Sequence, residues 1–261
     1  MVTWLNIVTD LGIIGVGVGA IACWYMKKRT SLEYFLIGGV FWALTVALKL
    51  AMNFTITSQF KFQVWMAFAP LVATLVTGLY YGLRAGIFEC GIPYLATRYS
   101  RLSSRMSLDD MVALGIGFAG TEAIMLGILF LLQNIVELLV YGSQTSPSTS
   151  SQPQITTLLI LILIFERLFA LVTHVSAIVV AVYAAKEKNL WWLAVAVIYT
   201  TLVNASILVG DYIFSEMGDY TSIPIELFLI FMTAIGFALL WWMYKKHHSA
   251  QTTQTKNPNA T

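Results

Sequence analysis

The chain has 261 residues, of which 58% are hydrophobic and only 11% charged, with a formal net charge of +2. An ordinary soluble domain carries roughly 25% charged residues, so this chain cannot clothe a surface that faces water all round and reads as a polytopic membrane protein. The same figures exclude a disordered tail protein and a secreted disulfide scaffold, and the net charge is too small to attract nucleic acid or another polyanion. Cys23 and Cys90 both lie inside apolar stretches and report no redox compartment.

A helix needs about 20 apolar residues to cross a bilayer. Seven stretches qualify, at residues 4–26, 34–52, 63–85, 110–134, 155–184, 190–213 and 223–244, so the fold class is an all-α seven-transmembrane helix bundle. The first is not a cleavable signal peptide, because its basic residues follow the apolar run. Within it, Gly15 and Gly19 form a small-xxx-small pair suited to close helix packing, inside the bundle by default. Asn53-Phe54-Thr55 matches a glycosylation sequon in the loop expected after the second span. Apolar character in the third span runs on to Arg98 through Gly86, Gly91 and Pro93. That pattern predicts a long bent helix or a re-entrant break, with Pro93 kinking the chain at Glu89. Ser143–Gln154 is a polar, Pro/Ser-rich connector. Trp191, Trp192, Trp241 and Trp242 read as an interfacial aromatic belt, and Lys245–His248 as a short basic end facing anionic lipid. Residues 1–248 then form one transmembrane domain, and 249–261 a disordered cytoplasmic tail.

The basic residues set the orientation. Lys27, Lys28 and Arg29, then Arg98, Arg101 and Arg105, then Lys186 and Lys188, then Lys245 and Lys246 occupy every second connection, while Lys61 stands alone on the other side. The positive-inside rule puts the N-terminus outside and the C-terminus in the cytoplasm, and the expected location is the plasma membrane of a prokaryotic cell.

Ionisable side chains deep in a bilayer cost about 2.5–3.5 kcal/mol each on insertion scales. Those here are Lys49, Arg84, Glu89, Glu122, Glu166, Arg167 and His174, accompanied by Asn204 and Asp211. Arg167 and His174 are seven residues apart and share a helix face, as do Asn204 and Asp211. The polar groups therefore converge from at least four helices on the bundle interior. Two readings fit. Three basic and three acidic side chains sum to zero, as a structural ion-pair network would. Alternatively, carboxylate and imidazole together hold Zn²⁺ and activate water, a further carboxylate acts as general base, and Arg or Asn stabilises an oxyanion.

Several segments resemble the YhfC-type membrane peptidases, distant relatives of the CAAX-prenyl and PrsW-type intramembrane proteases. They are Ala85-Gly86-Ile87-Phe88-Glu89 with Tyr94-Leu95-Ala96, Gly115-Ile116-Gly117 through Gly120-Thr121-Glu122-Ala123, and Glu166-Arg167-Leu168-Phe169-Ala170 with His174. Lys188-Asn189-Leu190-Trp191-Trp192 with Asn204 completes the set, so the resemblance covers residues 30–215. It implies a membrane-embedded metallopeptidase acting on a membrane-anchored protein or peptide. Glu89, Glu122, Arg167 and Asn204 are then the catalytic candidates, and His174, Glu166 and Cys90 the candidate ligands of a zinc ion. Four positions depart from the family's pattern: Cys90 stands where a second Glu is expected, Pro93 for Arg, and Phe118 and Thr200 for His. Those departures leave open a second function, a degenerate member that binds a transmembrane segment, lipid or protein partner without cutting it. A transporter is disfavoured because the halves show no repeat, and a retinal protein because the seventh span, Pro224–Tyr244, has no Lys.

Overall fold

A computed structural model describes residues 4–100, 106–141, 157–215 and 222–256. The described residues contain no strand. The helices are α1 (Trp4–Lys28), α2 (Leu32–Met52), α3 (Ser58–Ala67), α4 (Pro70–Tyr99), α5 (Leu108–Tyr141), α6 (Thr157–Glu187), α7 (Leu190–Ile213) and α8 (Ser222–Lys256). A π-helical turn, Asn53–Thr57, joins α2 to α3 without a break, giving one 36-residue run from Leu32 to Ala67. Seven runs are long and apolar enough to cross a membrane, so this is an integral membrane helix bundle.

The second span differs from its sequence-based bounds. Residues 53–62 contain no Gly or Pro to break the helix, so the chain turns only at Phe68-Ala69, where both residues are extended and Pro70 opens α4. Asn53 is therefore inside a helical run rather than in a loop. α4 then continues unbroken through Gly86, Gly91 and Pro93 to Tyr99, a long helix without a re-entrant break. Pro93 still leaves the Glu89 carbonyl without its helical N–H partner.

Short connections use local chemistry. Ser31 caps α2 by accepting the Glu33 N–H, and Asn189 caps α7 by accepting that of Trp191 at 2.9 Å. Ser107 and Asp110 exchange hydrogen bonds at the start of α5 as a capping box. Arg29 and Lys188 take left-handed backbone angles (φ 50° and 57°), ending α1 and α6 so that the chain reverses within two or three residues.

Polar contacts place the basic connections at one end of the bundle. Lys28 bonds Asp109 (3.2 Å) and the Tyr244 hydroxyl (3.0 Å), Lys186 donates to the Met106 carbonyl (2.8 Å), and Lys246 donates to the Tyr183 hydroxyl (3.1 Å). Asp10 and Asn134 pair at 2.7 Å, joining the start of α1 to the far half of α5. The tail expected from Ser249 is helical as far as Lys256, where α8 ends. The connector Ser143–Gln154 and the basic residues Arg101 and Arg105 lie outside the described residues.

α6 is the central helix. It packs against α1, α4, α5, α7 and α8, and Val175 through Val182 are all buried, so its second half has no lipid-facing side. That stretch is accordingly apolar nearly all round, residues 175–185 carrying only Ser176 and the Tyr183 hydroxyl as polar side-chain groups. Small residues bring its neighbours close. A Cβ on Gly82 would lie 3.0 Å from the Ala205 Cβ and meet the Thr201 carbonyl, and one on Gly86 would lie 2.6 Å from the Val197 carbonyl. α4 and α7 thus approach backbone to backbone. By contrast, a Cβ on Gly15 or Gly19 would meet nothing within 4 Å. The intramolecular packing expected of that pair belongs instead to Gly78, Gly82 and Gly86.

Candidate active site

Four helices each deliver one ionisable side chain to the same place: Lys49 from α2, Glu89 from α4, Glu122 from α5 and His174 from α6. Lys49 Nζ forms an ion pair with Glu89 Oε1. The other oxygen of Glu89, Oε2, lies 3.2 Å from His174 Nδ1, and Glu122 Oε2 lies 3.5 Å from His174 Nε2. The imidazole is therefore clamped between two carboxylates, one at each ring nitrogen.

The helices explain why these side chains meet. Gly38 and Gly117 let α2 cross α5 closely, since a Cβ on Gly117 would lie 2.6 Å from the Phe35 Cα. On α5, Gly115 meets the α6 backbone at Val175, where a Cβ would lie 3.1 Å from the Val175 Cα. That contact sits one residue past His174 and two turns before Glu122, so the Gly-rich segment sets the spacing of the two charged groups.

Exposure divides the two carboxylates. The Glu89 side chain is 5% exposed and that of Glu122 27%. Glu89 Oε2 has no hydrogen-bond donor of good geometry despite its contact with His174, and a buried carboxylate in that state depends on nearby charge. Glu122 is thus the more exposed of the two carboxylates.

Neutral groups complete the surroundings. The Phe118 ring lies 6.0 Å from that of His174, centroid to centroid. The buried Cys90 thiol meets the Thr200 hydroxyl at 3.3 Å. Cys90 follows Glu89 directly, so three of the four positions that depart from the family pattern (90, 118 and 200) gather around one centre, and a Cys–Thr contact and a phenyl ring stand where charged or ligating groups were expected.

The other singled-out residues lie elsewhere or are engaged locally. Glu166 pairs with its neighbour Arg167, and both are within electrostatic reach of Glu226 on α8. Arg167 does share a helix face with His174, but seven residues at about 1.5 Å each put it roughly 10 Å further along the axis, in another layer. Asn204 donates to the Thr200 carbonyl of its own helix at 2.9 Å. Arg84 bonds Asn53 (2.5 Å) and Thr57 (3.0 Å) and lies 4.9 Å from the centre of the Tyr81 ring, in the π-helical region. Asp211 lines a cavity with Lys61, Trp65 and Tyr212. The ion-pair reading thus holds for two pairs, Lys49–Glu89 and Glu166–Arg167.

Among the described residues, no group of three or more His, Cys, Asp or Glu side chains is arranged to hold a metal ion. The geometry gives the reason at the centre itself. Glu89 and Glu122 lie on opposite nitrogens of a single imidazole, so one ion cannot take both carboxylates together with that ring. Cys90 and Glu166 are engaged with Thr200 and Arg167.

In the sequence Lys49 stands among the costly residues but not among the candidate catalytic or metal-binding ones. The available signal was a lone Lys on an otherwise apolar span, which demands a carboxylate partner from another helix.

The sequence model of the YhfC intramembrane metalloprotease family matches residues 13–217, most of the chain and all of the centre just described. No curated protein and no solved structure matches the chain.

Proposed function

Because the chain belongs to the YhfC intramembrane metalloprotease family, we propose that it is a membrane-embedded peptidase that hydrolyses a membrane-anchored protein or peptide. The observation that carries this reading is the His174 ring held between Glu89 and Glu122 in the middle of the bundle. A positioned imidazole beside a partly exposed carboxylate is an acid–base pair, the equipment that hydrolysis of an amide needs.

In the proposed reaction, Glu122 accepts a proton from a water whose oxygen attacks the scissile carbonyl carbon. His174 gives its proton to the departing amine nitrogen as the C–N bond breaks, and the proton on Glu122 returns to the ring. Glu89 acts as a positioning residue that fixes the imidazole through Nδ1. Asn204 has a second amide hydrogen beyond the one given to Thr200 and is the proposed donor to the carbonyl oxygen as it gains charge. The basic end of the bundle is proposed to face the cytoplasm, under the positive-inside rule.

The family implies a metal, and zinc on His174, Glu166 and Cys90 was the expectation from sequence. The side chains as arranged do not fit one, since they form three separate polar contacts rather than one coordination shell. No step above passes through a metal.

The test is a comparison of membrane-protein N-termini in cells making the wild type or Glu122→Gln. New N-termini inside or beside transmembrane segments that vanish in the variant support the reading. Identical N-terminal profiles in the two strains, with both proteins present in the membrane, would overturn it.

A further inference from the structure

The Lys49–Glu89 pair has a bearing on the implied metal. An ammonium already lies against Oε1 of the buried Glu89 carboxylate, on a side chain that is itself only 23% exposed. The remaining oxygen of Glu89 faces His174 Nδ1, and Nε2 faces Glu122. Each ring nitrogen thus faces a different carboxylate, so no single metal ion at one nitrogen could take both of them. Nearby, the thiol that could have joined a metal shell is turned to Thr200.

We propose that the Lys49 ammonium is the resident cation of this site, balancing Glu89 where a metal ion would otherwise have to, and that the chain folds and keeps its site assembled with no bound metal. A carboxylate as buried as that of Glu89 needs positive charge close by. A divalent ion would supply it at the cost of three or more ligands on one side of the cluster. This chain supplies it to Glu89 with one lysine from α2, and the two carboxylates lie to either side of the ring. The arrangement also ties α2 to α4 and α4 to α6, so the charge cluster holds the helices that carry it. This inference stands on the geometry of the resting protein and does not require that the chain cut a peptide.

The test uses the full chain, expressed in zinc-supplemented medium and purified in mild detergent without chelator. Metal content per chain is read by mass spectrometry for zinc, manganese, iron, cobalt and nickel. Thermal midpoints are then compared with and without EDTA, for the wild type, Lys49→Gln and Lys49→Arg. The expected result is metal well below one ion per chain and no shift of the wild-type midpoint with EDTA. Lys49→Gln should lose about 5 °C or more, with Lys49→Arg in between because it keeps the charge. Should Lys49→Gln fail to fold, the wild-type metal content and its response to EDTA decide the matter alone. Near one metal per chain, removed by EDTA with a falling midpoint, would overturn the proposal, as would a Lys49→Gln as stable as the wild type. Neither readout depends on cleavage, so this proposal and the peptidase reading fail separately.

Discussion

Replacing Lys49 by Met keeps most of the side-chain volume and removes only the charge beside Glu89. Breaking a buried ion pair by deleting one partner costs about 3–5 kcal/mol, because the other charge stays behind uncompensated. Two features of the site reduce that figure. Lys49 is 23% exposed rather than fully buried, and Glu89 retains the His174 contact at 3.2 Å. A loss of about 2–3 kcal/mol is therefore expected. The double variant Lys49→Met/Glu89→Gln removes both charges and should recover much of this, giving a coupling energy of about 1–3 kcal/mol. The assay is reversible unfolding in mixed micelles titrated with SDS, followed by the fluorescence of the eight tryptophans. A single variant within about 0.5 kcal/mol of the wild type, the ordinary range of surface substitutions, would refute the reasoning. So would strict additivity in the double variant, since it would mean the two side chains do not interact.

The remaining predictions concern chemistry, packing and modification. Glu122→Gln and His174→Gln should each lower cleavage by about 10²–10⁴-fold while the circular dichroism of the folded bundle stays unchanged; a variant with wild-type turnover would remove that residue from the mechanism. Gly82→Leu should prevent folding or sharply lower the thermal midpoint, because its Cβ would already meet the Thr201 carbonyl and Ala205. Gly15→Leu, with open space around its Cβ, should leave the midpoint near that of the wild type. Asn53 should stay unmodified in a eukaryotic host, since it lies in a helical run and accepts from Arg84, while Thr55 bonds back to the Ala51 carbonyl. Treatment with a glycan-removing amidase should leave its gel mobility unchanged, and a mobility shift would show that this segment opens.

The spans were legible because hydropathy over some twenty residues depends on the bilayer and not on neighbouring helices. The end of the second span was not, because a segment without Gly or Pro carries no local stop. Turn chemistry placed the break at Phe68-Ala69-Pro70, beyond the polar patch around Gln59, Lys61 and Gln63. Within the site, the cost of buried charge pointed to Glu89, Glu122 and His174 individually. Which charge meets which was not legible. Seven-residue spacing puts Arg167 and His174 on one helix face, while helix rise keeps them in separate layers. Lys49 and Glu89 are forty residues apart on different helices, and only the crossing of α2 with α4 brings them together. Gly15 and Gly19 show the converse, a sequence pattern suited to packing that faces open space.

The most direct test of the account is the cleavage rate of a single-span substrate by the purified protein in lipid vesicles, measured with and without a strong chelator of divalent metals. The account predicts proteolysis that persists in chelator and disappears in Glu122→Gln. Cleavage abolished by chelator and restored by added zinc, or retained in Glu122→Gln, would contradict it.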